Sequence, residues 1–382
     1  MMNTKKWLDQ LDKVPLGRMY HASFKAQVRL QLYFTSLTHE LFLDFGRMAR
    51  GAILRAAGKD NVLDGASGFA LQSDLLRMWG DAFTEWSAAF QQVRREAAAI
   101  PFGVLAITHE RVIKPLTTKD TKATKEEALT EAVKDGVFSP QIRILLDVAE
   151  NYLYGGQSLN LSGRIWKLDR ETREGISRVL MQAIANSSSA WDTAKALEQF
   201  LGANEDCPRW TSTRLYGLTA KEKTTSTTGL LSGKACDGRG VSYNALRLAR
   251  TEIQKMHGLA TDKMMAMQPW VEKEQVHLSA AHPERDECDD IIEDGENGEG
   301  IYPKGEIELP IHPNCFCFKT AVMMNEKEFT SKLRGWMNGT EEWAGMDKYA
   351  QDIGGDIENS VMPAAIGLAV WLLGTELSEW LK

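Results

Sequence analysis

The stretch His282-Pro-Glu-Arg-Asp-Glu-Cys-Asp-Asp290 is answered, after a glycine-rich acidic loop, by Tyr302-Pro-Lys-Gly305 and then by Leu309-Pro-Ile-His-Pro-Asn-Cys-Phe-Cys317. This stretch divides the chain. Before it, apolar residues recur at three- and four-residue spacing, the period of amphipathic helices. Within and after it, prolines, glycines and short alternating runs take over, the pattern of strands and turns. The expected class is therefore α+β and mainly helical: long N-terminal helices, then a small mixed domain with short strands and a Cys/His-stapled loop region.

Four of the seven histidines and three of the five cysteines lie between His257 and Cys317. Thiolates and imidazoles in such a cluster suit zinc, which takes four tetrahedral N/S ligands at about 2.0–2.3 Å. His282, Cys288, His312, Cys315 and Cys317 are the candidate ligands. Prolines 283, 310 and 313 stiffen the hooks that carry them and lower the entropy lost as they converge. Ligands 24 residues apart (His312 against Cys288) would close the loop between them. Two other readings stay open: buried thiols with histidines satisfied by backbone, and a reactive or disulfide role. Cys315 and Cys317 would point oppositely if they lay on a strand, leaving one to ligate and one to pack. Asp286 and Asp289 flank Cys288 and are candidates to orient a ligating histidine. The remaining acidic residues of the loop lack the order of a calcium-binding EF-hand and read as solvated.

Working outward, Leu16–Gly58 reads as one long helix and Phe69–Ala99 as a second that stops before Pro101. Together they make an antiparallel layer joined near Asp60–Gly68. The polar stretch Lys114–Lys125 reads as a linker, with helical patterns at Lys125–Lys134 and Pro140–Tyr152. Asn160–Leu201 forms a helical unit in which Asp169 can cap a helix and Ser187–Ser189 interrupt the pattern. The loop between Trp210 and Gly240 contains Gly229-Leu-Leu-Ser-Gly-Lys-Ala235, which is too short between its glycines for a phosphate loop and has Ala235 where a hydroxyl is required. Helix resumes at Tyr243–Met267, where Arg250, Thr251 and Glu252 share one turn. The plain reading of this turn is intrahelical and interhelical salt bridging; the sharper one has Arg250 and Glu252 tie this helix to the motif domain, and either role is structural rather than catalytic. Val271–Leu278 alternates as a strand, loops dominate from Ala281 to Pro313, and helical pieces return at Lys327–Met337 and Pro363–Leu381. Three regions follow: 1–155 as a helical docking region, 156–325 as the domain with the Cys/His motif, and 326–382 as a helical tail.

A net charge of −7 gives no global basic field for nucleic acid. The N-terminus has no apolar run of the secretory kind, and Val361–Leu373 falls short of the roughly 20 residues that span a bilayer. No stable membrane span and synthesis in the cytoplasm are the expectation. Five cysteines argue against a disulfide framework.

The order of these features resembles the phage-Mu-F-like minor head proteins, or phage head morphogenesis family. The matching parts are Ile176–Leu201, Arg250-Thr251-Glu252, Asp286-Glu287-Cys288, Gly300-Ile301-Tyr302-Pro303 and His312-Pro313-Asn314-Cys315-Phe316-Cys317, within about Asn160–Val322. The family carries Arg where this chain has Phe316, and a second cysteine where Ile291 stands, so the resemblance implies that His282 replaces the missing thiolate. It also implies a minor capsid protein of the virion, made in the host cytoplasm and placed in several copies near the portal vertex. Such a protein would support head morphogenesis, DNA packaging or ejection. Its implied partners are the portal protein or the major capsid protein, with weak contact to packaged DNA, and no catalytic residue is implied. Two rivals remain. A metal-dependent nuclease would use His277 or His282 as base, but the loop is acidic where a basic surface is needed. A membrane-active ejection protein would use Pro363–Lys382, whose polar face is poor in Lys and Arg.

Overall fold

The computed structural model describes residues 14–15, 18–57, 59–108, 139–151, 160–202, 240–279, 285–313 and 315–353. Among these the order is α1 (Met19–Ala56), α2 (Gly65–Thr108), α3 (Ser139–Asn151), α4 (Leu161–Ala185), α5 (Ala190–Leu201), α6 (Gly240–Met267), β1 (Val271–His277), α7 (Glu287–Asp294), β2 (Ile301–Pro303), β3 (Phe318–Met323), α8 (Glu326–Met337) and α9 (Ala344–Ile353). The class is α+β and mainly helical. His282, the Lys114–Lys125 stretch, the Lys125–Lys134 pattern, the 229–238 loop and the Pro363–Leu381 piece lie outside the described residues.

α1 and α2 run antiparallel because their aromatic stripes match in reverse order. Phe34 meets Phe90 and Trp86, and Phe42 and Phe45 both meet Trp79, with ring centroids 5.4–5.9 Å apart. Trp86 donates to Thr38 Oγ1 at 3.0 Å, so its one polar atom is satisfied in the core. The expected stop before Pro101 is overturned: α2 continues through it to Thr108. An interior proline costs about 3 kcal/mol. Past it, Phe102, Val104, Leu105 and Ile107 are each at most 1% exposed. Burying such side chains contributes about 1.5–3 kcal/mol apiece, which outweighs the lost hydrogen bond.

α4 starts at Asn160, whose side chain accepts from Gly163 N at 2.9 Å. Asp169, expected as a cap, lies two turns inside α4 instead. Its carboxylate accepts from Trp79 Nε1 at 2.7 Å and from Arg173 Nε at 3.0 Å, tying α4 to α2. Ser189 caps α5 through its hydroxyl, and the interruption at the serines is the turn between the two helices.

α6 is the platform. Ala245, Ala249, Ile253, Met256, Ala260 and Met264 are buried, and so are Arg250, Glu252, Gln254, Lys255, His257 and Thr261. A helix buried nearly all round lies inside a fold, and its polar side chains then need partners there. Facing α1, Tyr20 bonds Gln268 at 2.9 Å, Ser23 bonds His257 at 2.9 Å, and the Gln27 amide donates to Gln254.

The chain leaves α6 into β1, the centre of a three-stranded antiparallel sheet ordered β2-β1-β3. Register pairs Glu274 with Tyr302 and Ala321, and Val276 with Lys319. Phe24 of α1 stacks on Phe318 at 4.1 Å and fixes the sheet against the helices. A satellite core of Val276, Cys288, Leu309, Cys315 and Cys317 forms beside the sheet, flanked by Ile291, Ile292, Tyr302 and Ile307. α8 and α9 close over Trp270, which meets Tyr349 edge-on at 5.0 Å. No helix among the described residues is long and apolar enough to cross a membrane.

Candidate metal centre

Within Ala281–Pro313, where the sequence pattern has loops dominate, α7 supplies two turns of helix. Its start is set by Asp286, which accepts from Cys288 N at 2.8 Å, while Asp289 Oδ2 accepts from Asp286 N at 2.9 Å. This reciprocal cap fixes Cys288 in the first turn. Asp289 therefore closes the helix end, and the carboxylate beside the histidine is Asp286. The return to β2 depends on Gly300 (φ +68), where a Cβ would meet Val276 O at 2.7 Å.

The second arm is built from Glu274. Its two carboxylate oxygens accept from Ile307 N at 2.8 Å and Gly305 N at 3.0 Å, folding the loop that leads to Leu309–Cys317. The loop then lies directly on α6. Gly258 admits it, since a Cβ there would meet Leu309 O at 2.7 Å. The Gln254 amide donates to Cys317 O, and the Arg250 guanidinium stands 5.9 Å from the Phe316 ring centre. Glu252, expected to join in, turns away to Arg164 of α4 at 2.7 Å. Arg250 alone of that pair reaches the motif, because residues two apart face different sides of a helix.

Both arms deliver sulfur to one place. The Sγ atoms of Cys288, Cys315 and Cys317 lie within 4.8 Å of one another, and all three residues are buried and free of disulfides. The Cys288–Cys315 separation is 3.7 Å. A tetrahedral ion with sulfur ligands at about 2.3 Å spaces them about 3.8 Å apart. The two cysteines of the closing motif do not diverge, because residues 315–317 precede β3 and are not yet strand.

His312 completes the group. Its Nδ1 lies 3.0 Å from Pro313 O, and a carbonyl only accepts, so the ring proton is assigned to Nδ1. Nε2 is turned the other way, 3.1 Å from Cys288 Sγ and 3.0 Å from Asp286 Oδ2. Sulfur, carboxylate and imidazole nitrogen gathered there make a donor set that suits a divalent cation.

The thiols answer one another in the same sense. Hydrogen bonds from Cys288 and then Cys317, with backbone bonds at Cys317 and Ile311, push the Cys315 thiol down to about 2 against the effect of burial. Cys288 is pushed up, first because it donates to Cys315 and to Cys317, then by burial. Cys317 also ends above its ordinary value: the Cys288 contact lowers it, and the Cys315 contact and burial outweigh that. One proton leaves easily, and the next two are held by hydrogen bonding to the neighbouring sulfur and by burial. A divalent ion would stabilise the thiolates in place of those protons. Cys288, Cys315 and Cys317, with His312, can therefore hold a metal ion.

Glu274 and Lys319, both buried, and the partly exposed Asp262 form an ionic group that the sequence does not announce. They lie on three different elements, and no local spacing announces the pairing. No family model, curated protein or solved structure matches the chain.

Proposed function

We propose that the protein is a minor structural or assembly protein of a tailed-phage head, of the Mu-F-like kind, in which one zinc ion staples the motif unit onto the helical platform. The observation that carries this reading is the meeting of separated motif parts. Cys288 from the Asp286-Glu287-Cys288 element shares one site with His312, Cys315 and Cys317, and Arg250 of the Arg-Thr-Glu helix covers Phe316 between the two cysteines. Three thiolates and one imidazole select zinc among common divalent ions. Four protein ligands leave it no open position, so its role is to hold structure rather than to activate water. Pro313 O, which takes the Nδ1 proton, then orients His312 from outside the ligand set, and Asp286 lies beside the ligating Nε2.

In this reading the motif unit is a rigid module and the helical layer of α1 and α2 docks it, with the portal protein or the major capsid protein as neighbour. Cross-linking and mass spectrometry of intact virus heads carrying this chain test the assignment. The expected result is a few copies per particle with links to the portal ring. Absence of the chain from purified heads would overturn it.

A further inference from the structure

Lys319 on β3 is 4% exposed. Its Nζ touches Asp262 Oδ1 on α6 and lies 3.1 Å from Glu274 Oε2 on β1. Lysine next to carboxylate is common, but this placement differs from the others in the fold. Lys255 is as deeply buried, yet its Nζ stands 4.0 Å from Glu252. Lys273 touches Glu296 where both side chains are about half exposed and water competes. At Lys319 the amine, the carboxyl carbon and a third group able to carry protons meet in a site largely closed to water. Glu274 is fully buried and its carboxylate is clamped by the Gly305 and Ile307 N–H groups, so Oε2 is fixed beside Nζ.

The geometry points to an intramolecular amide bond between Lys319 Nζ and Asp262 Cγ, with Glu274 as the catalytic proton carrier. In the contact pair one proton passes from the Lys319 ammonium to Asp262, leaving an amine beside a carboxylic acid. Burial favours that acid form, pushing Asp262 up to about 6 although Lys319 pulls it down. Nζ then attacks Cγ. Glu274 takes a second proton from Nζ and returns it to a hydroxyl on Cγ; the Cγ–O bond breaks and water leaves. Ammonium plus carboxylate gives amide plus water, with no oxidant or activating reagent. Fixed reactants of this kind reach effective concentrations on the order of 10⁵ M and above. The link would join α6 to β3 two residues beyond Cys317, anchoring the motif unit to its platform whether or not metal is bound.

The test is the intact mass of the full chain under denaturing conditions, followed by digestion. The expected mass is lighter than calculated by one water, with a branched peptide joining the segments that contain Asp262 and Lys319. Lys319→Arg keeps the positive charge beside Asp262 but cannot form the bond, and should run at its full calculated mass. A wild-type chain at full mass overturns the proposal. So does a water loss that persists in Lys319→Arg, since aspartyl-glycine steps such as Asp294-Gly295 lose water by cyclisation. Glu274→Gln should link at least about 100-fold more slowly. Unchanged linking in that variant overturns the role given to Glu274.

Discussion

Acid should loosen the seam between α1 and α6 through one residue, His257. Its ring is wholly buried, with Nε2 2.9 Å from Ser23 Oγ, and burial pushes its pKa from 6.5 down to about 3. The unfolded chain takes up a proton near pH 6.5, whereas the folded chain does so only near pH 3. The stabilisation is fully present above pH 6.5 and is lost as pH falls toward 3. Each unit well inside that window costs the folded state about 1.4 kcal/mol; because the unfolded imidazole is only half protonated at pH 6.5, the loss between pH 6.5 and 4.5 is about 2.3 kcal/mol. Against a total of about 5–15 kcal/mol, that loss is large. His257→Gln keeps an amide acceptor for Ser23 and cannot titrate. Urea unfolding of both chains at pH 7, 5.5 and 4.5 gives the comparison. Other titrations, including that of Asp262 and of the thiol group, occur in both chains and cancel in the difference. The advantage of wild type over variant should shrink by about 2.5 kcal/mol from pH 7 to 4.5. Parallel profiles would show that His257 is charged or solvated in the fold, and the reasoning would fail.

Cys288→Ser should abolish metal retention and open residues 285–323 to proteolysis, while circular dichroism keeps the α1–α2 signal; an uncleaved variant would mean that the thiols do not staple the unit. Trp79→Ala should lower stability by about 3–5 kcal/mol, seen as a reduced urea midpoint, because it empties the space among Phe42, Phe45 and Phe83 and strips Asp169 of a donor. Gly258→Ala gains about 1 kcal/mol of helix propensity but drives a methyl against Leu309 O, for a net loss of about 1–2 kcal/mol and weaker metal retention in a chelator titration. A thermal midpoint at or above wild type would show that the loop does not sit on α6 as described.

Much of the helical architecture was legible because it is periodic. Leu30, Phe42 and Phe45 announce the buried stripe of α1, and Trp79, Trp86 and Phe90 that of α2. Pro101 misled because local sterics favour a break there, whereas the energy that carries α2 onward comes from tertiary burial of Phe102–Ile107. Asp169 misled for a related reason: a helix-capping residue type was claimed by Trp79 across the fold. α7 is short and strongly acidic, which hid it, although Asp286 three residues before Asp289 was a readable cap. In the site, the Cys/His clustering and the closeness of Arg250 to the motif were in the sequence. The convergence of both closing-motif sulfurs was not, since it depends on where β3 begins. The Asp262–Lys319–Glu274 group was hidden entirely, because charged residues look solvated until three elements bury them together.

The central claim is that the sulfurs and His312 hold one zinc ion. X-ray absorption at the zinc edge, on full-length protein purified without added metal or chelator, tests it most directly. One zinc per chain is expected, with three sulfur neighbours at about 2.3 Å and one nitrogen at about 2.0–2.1 Å. Folded protein without a zinc signal, or a zinc surrounded only by oxygen and nitrogen, would contradict it.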